Sequence, residues 1–65
     1  MNLHWTRDGI GNYVPLITRV GSTYYRVHRG NGAWIVEASN DRKEWTLVSK
    51  HSRQRDSKAW VAALA

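Results

Sequence analysis

Three histidines, five carboxylates and ten lysines and arginines are the groups with chemistry to offer in this chain, and their spacing decides what that chemistry is. His4, His28 and His51 are spread along the sequence, and no carboxylate stands at a spacing that implies a triad. The acids Asp8, Glu37, Asp41, Glu44 and Asp56 fall mainly on turns or beside basic residues, so no general acid–base pair is assembled. No histidine pair has i, i+4 or finger-like spacing, and cysteine is absent, which argues against a metal site and excludes disulfide stapling. The glycine motifs "GIG" and "GNG" lack the strand, helix and lysine that a phosphate-cradling loop requires. The expectation is a binding protein, not an enzyme, with no cofactor and no metal.

The strongest global signal is charge. Ten basic against five acidic side chains give a net charge of +5 and a pI near 10.3, so polyanions attract the chain at modest salt. The amino-terminal "MNLHWTRDGIGNYVP" has no leader pattern, and no apolar stretch is long enough to span a bilayer. A soluble cytoplasmic protein with no membrane partner is expected. A chain of 65 residues has room for one domain with a small core, here residues 1–65. Four Trp and three Tyr, with no Phe, must supply much of the buried area.

Those groups need elements to position them. Tyr24 to Arg29, "YYRVHR", alternates Tyr25 and Val27 against Tyr24, Arg26 and His28, the period of a half-buried strand. Trp34 to Ser39, "WIVEAS", sets Trp34, Val36 and Ala38 on one face, and the intervening "GNG" predicts a tight hairpin. A polar loop from Asn40 to Glu44 then leads to a third strand, "WTLVSK", Trp45 to Lys50. Tyr13 to Val20, "YVPLITRV", is expected as an edge strand or an extended arm, because Pro15 cannot donate to a ladder. Residues 1–12 are expected as a short strand or an arm, with a turn over 8–12. Ser57, Trp60, Val61 and Leu64 fall at i, i+3, i+4 and i+7, which predicts a helix over 53–64 capped by Ser52 or Asp56. The fold class is therefore α+β: an antiparallel sheet of three to four strands over 13–51, packed against one C-terminal helix.

Trp34 and Trp60 lie on apolar stripes and are expected in the core. Trp45 flanks the basic loop, where it either packs across the strand against Ile35 or a neighbour, or stacks on a base or a protein partner. Trp5 either pins the amino-terminal arm to the sheet or stands exposed at an interface.

The run "RDSKAWVAAL" directly after a strand, itself after a Trp-bearing hairpin, resembles the three-stranded-sheet-plus-helix modules of the arm-type DNA-binding domains of tyrosine recombinases and of plant AP2 domains. The resemblance covers about Tyr24 to Leu64, with Ser57 where alanine is usual. It implies a sheet that enters the major groove of double-stranded DNA and touches bases and phosphates with its exposed residues. Arg26, His28, Arg42, Lys43 and Lys50 are the matching positions. Arg26 and His28 stand opposite Tyr25 and Val27, and Arg42 and Lys43 sit on a hairpin tip suited to phosphates. The implied role is a phage-type regulator or recombination accessory factor. The alternative is a module that binds a host protein, or a homodimer pairing through the edge strand at Tyr13 to Val20, with Trp5, Tyr13 and Trp45 at the interface. The basic positions also fit a merely solvated face of a basic domain.

Overall fold

The computed structural model describes residues 3–7, 9 and 14–65. Among these residues, five strands and one helix follow in chain order: β1 (Thr6–Arg7), β2 (Leu16–Val20), β3 (Thr23–Gly30), β4 (Ala33–Ser39), β5 (Thr46–His51) and α1 (Gln54–Ala62). The strands form one antiparallel meander in the order β1-β2-β3-β4-β5. The chain is thus α+β, as the sequence predicts, with one strand more than the three to four expected. Pro15 precedes the first residue of β2, so its missing N–H interrupts no ladder, and the short β1 adds on the outer side of β2. Thr18 Oγ1 ties the arm there, donating to the carbonyl of His4 at 2.7 Å.

Two short turns set the register. Asn31 (φ 49°) and Gly32 (φ 76°) take the left-handed conformations that a type I′ hairpin requires, which is why "GNG" marks this turn. Gly21 (φ 62°) occupies the first of two residues between Val20 and Thr23. The Asn31–Gly32 turn places Arg26 opposite Glu37, Val27 opposite Val36 and His28 opposite Ile35. Side chains therefore alternate between two faces.

One face meets α1. Val27, Val36 and Val61 are fully buried, and Leu3, Trp5, Val20, Tyr25, Trp34 and Trp60 pack around them. Trp34 and Trp60 reach the core as expected, each half-buried, because three valines leave a volume that only large rings at the rim can close.

The helix departs from expectation at both ends. It starts at Gln54 with Arg53 in the capping position and no side-chain cap; neither Ser52 nor Asp56 caps it, and Asp56 instead lies in the first turn, near the positive end of the helix dipole. It ends at Ala62, so Leu64 falls beyond the last regular turn and is 47% exposed, outside the stripe that its spacing predicts. Strand β5 also breaks its own alternation. Val36 pairs with Ser49 but Glu37 with Leu47, so Val48 is a bulge without an opposite partner.

The edge moves too. Strand β2 lies between β1 and β3, so it is not the edge strand expected over Tyr13 to Val20, and Tyr13 itself lies outside the described residues, as does the turn over 8–12 apart from Gly9. The long strand that terminates the sheet is β5. Among the described residues, no helix is long and apolar enough to cross a membrane.

Ser57 is fully buried where α1 meets the sheet, and its hydroxyl donates to the Arg53 carbonyl at 3.4 Å. A small residue here lets the helix approach closely. Ser57→Ala should change unfolding stability by less than about 1 kcal/mol, since it deletes one weak hydrogen bond. Ser57→Leu should cost about 1–3 kcal/mol by overpacking, both read from urea denaturation.

Candidate nucleic-acid interface

Among the described residues, no helix lies over the face of the sheet opposite α1, although Ile17 on that face is buried. Strand alternation puts Ile17 and Arg19 of β2, Tyr24, Arg26 and His28 of β3, Ile35 and Glu37 of β4, and Leu47 and Lys50 of β5 on this side. Its centre is an ion-pair cluster. Arg26 donates from Nε (3.0 Å) and Nη2 (2.7 Å) to Glu37 Oε1, and His28 Nε2 lies 2.7 Å from the same oxygen. The Arg26 guanidinium carbon also stands 4.3 Å from the ring centroid of Trp45. One edge of the guanidinium is thus held by a carboxylate and one flat face by an indole.

Burial pushes the Glu37 carboxyl up, but the hydrogen bonds and charges of Arg26 and His28 outweigh it and hold Glu37 below its ordinary value of 4.5. Glu37 is therefore ionised at neutral pH and offers only lone pairs. His28 must carry its proton on Nε2 and donate it.

At one end of the face the β4–β5 loop is built around two short side chains. Ser39 Oγ accepts from the N–H of Asp41 (3.2 Å) and Arg42 (2.9 Å) and donates to Asp41 Oδ1 (2.9 Å). Asp41 Oδ1 in turn accepts from the N–H of Lys43 (2.8 Å) and Glu44 (3.1 Å), an Asx turn. These backbone donors, then Ser39, hold the exposed Asp41 carboxyl below its ordinary value. The loop sets Arg42 at φ 65° and brings its guanidinium carbon to 5.4 Å from the Tyr24 ring centroid. Asp41 and Glu44 line a groove at this end of the sheet with Thr23, Ala38, Ser39, Asn40 and Thr46. The loop thus brings Arg42 over Tyr24 on the open face and ties the Asp41 carboxyl to Ser39 beside it.

The sequence-predicted residues sort as follows. Arg26, His28, Arg42 and Lys50 converge on the open face; Lys43 is exposed in the loop beside it. Arg26 and His28 are not the freely exposed strand residues expected: their side chains are only 24% and 25% accessible, because Glu37 draws them down onto the sheet. Trp45 packs against Arg26, a neighbouring strand residue. Trp5 lies half-buried against the core, with Lys58 Nζ 5.7 Å from its ring centroid.

Sequence reasoning missed Arg19, Tyr24 and Glu37. The signal for Glu37 was present. A two-residue turn at Asn31–Gly32 fixes Gly30 opposite Ala33, and stepping back along both strands pairs 26 with 37.

On the helix face, Ser49 Oγ and His51 Nε2 are 2.8 Å apart, a distance compatible with a nucleophile and its base. Among the described residues no carboxylate orients that ring, and no group of three potential metal ligands occurs. No family model, no curated protein and no solved structure matches this chain.

A carboxyl held below its ordinary value adds stability that is fully present above about pH 4.5 and is lost as pH falls through its value in the folded protein. Glu37→Gln should therefore cost about 1 kcal/mol at pH 7. The gap between wild type and variant in urea-unfolding free energy should close as pH falls from 5 to 3, whereas a gap independent of pH would show that the ion pairs contribute nothing.

Proposed function

We propose that the open sheet face binds double-stranded DNA, with the β3–β4 pair in the major groove. The observation that carries this reading is the one-sided construction of the sheet. Its helix-free face gathers Arg19, Arg26, Arg42 and Lys50 with the rings of Tyr24 and Trp45, and Glu37, the carboxylate among the described strand residues of that face, is paired with Arg26 and His28. Three inter-strand spacings of about 4.8 Å separate β2 from β5 by roughly 14 Å, close to the ~12 Å width of a major groove. The central strands then face base edges while the flanking strands and the Arg42–Lys43 loop rest on the phosphate rims. Phosphate contacts set affinity and position.

A second reading has its own observation. Leu47 and Val48 are 49% and 41% exposed on β5, the strand that ends the sheet. Such an edge can accept a strand from a partner protein or a second copy, although the Val48 bulge twists it away from easy pairing.

The two readings separate in one titration. Backbone amide shifts of the labelled protein are followed with a mixed-sequence duplex at 50 and 200 mM salt. On the DNA reading, shifts concentrate on residues 17–28, 35–37 and 42–50, and affinity falls about a hundredfold between the two salts for roughly four phosphate contacts. The double reversal Arg42→Glu with Lys43→Glu weakens binding by at least about tenfold, since two attractive contacts become repulsive. No shifts at low salt would remove DNA as the partner, and concentration-dependent sedimentation abolished by Leu47→Lys would establish the edge instead.

A further inference from the structure

Arg26 is held in two directions at once, and what is left over has a definite shape. Its Nε–Nη2 edge is occupied by Glu37 Oε1, and one flat face lies over Trp45. Among the described residues, no further partner takes its Nη1–Nη2 end. That end presents two parallel N–H groups, the fork that matches O6 and N7 of guanine in the major groove. Arg26 also sits on the central strand of five, in the middle of the open face, where a bound duplex would offer bases and not phosphates.

Resting on the DNA-binding reading above, we infer that Arg26 is the guanine-reading residue of this face and that Glu37 is the residue that positions it for that task. Glu37 acts in two ways. It fixes the plane of the guanidinium, so little side-chain freedom is lost when guanine is bound. Its carboxylate also repels a phosphate from the centre of the face and raises the cost of docking in any register that brings the backbone there. The carboxylate thus lowers affinity for DNA in general while raising the preference for guanine. A purely structural role for Glu37 predicts the opposite of the first effect: its loss would loosen the sheet and weaken binding to every duplex.

The test is fluorescence anisotropy of the full chain at physiological salt with three short duplexes: alternating A·T, alternating G·C, and the same G·C sequence with 7-deazaguanine in place of guanine. The last keeps every phosphate and base pair but lacks the N7 acceptor. Wild type should favour G·C over A·T by about tenfold and lose most of that preference on 7-deazaguanine. Glu37→Gln should bind the A·T duplex about two- to fivefold more tightly, as a like-charge repulsion is removed, and discriminate by less than about twofold. Arg26→Lys keeps the charge without the fork; it should lose the preference for G·C over A·T, which gives a second variant should Glu37→Gln fold poorly. Equal binding of all three duplexes by wild type would overturn guanine reading and leave DNA binding standing. Full discrimination by Glu37→Gln would overturn the role of Glu37. Failure to bind any duplex would overturn the inference together with the reading it rests on.

Discussion

The pairing of β3 with β4 is the constraint from which the rest of this molecule follows. A turn of two residues, both at positive φ, leaves no freedom in which residue faces which, and a slip of one position would exchange the two faces of the sheet. With the register fixed, Val27 meets Val36 on one side and Arg26 meets Glu37 on the other. The same four positions therefore write both the core and the charged cluster. Neither is adjustable without the other.

Small size makes the two faces unequal. A single helix of nine residues can cover one side of a five-stranded sheet and no more. Its fully buried centre is three valines, which is little apolar area, so stability leans on half-buried rings at the rim and on the arm that Trp5 holds down. The uncovered side is then obliged to be compatible with water. It meets that demand with cations whose guanidinium groups stand over rings, Arg26 on Trp45 and Arg42 on Tyr24. Such a surface is wettable and at the same time shaped for planar, anionic partners.

Irregular features fall where this arrangement needs them. The Val48 bulge reverses the alternation of β5, turning Ser49 and His51 toward the helix while Leu47 and Lys50 face outward. In a regular strand, Leu47 and Ser49 would share a side. The left-handed conformation of Arg42, held by Ser39 and Asp41, directs its guanidinium back over Tyr24. Both are local backbone departures that place a side chain, and both depend on hydrogen bonds or pairings made elsewhere in the fold.

The division between what was legible beforehand and what was not has a physical origin. Sequence alone determined the α+β class, the Asn31–Gly32 hairpin, the alternation of Tyr25 and Val27 against Arg26 and His28, and a terminal helix bearing Trp60 and Val61. These depend on turn chemistry and hydrophobic period, which are local properties of the chain. Strand number, the interior place of β2, the bulge at Val48 and the exposure of Leu64 depended on pairing between distant segments or on where the helix stops. The joining of Arg26, His28 and Glu37 lay between the two: it follows from the hairpin register, yet its three hydrogen-bonding atoms meet only because both strands share one face of a packed sheet. Local propensity assigns each residue a side; only the tertiary structure decides which neighbours it finds there, because side-chain contacts form between strands and not along them.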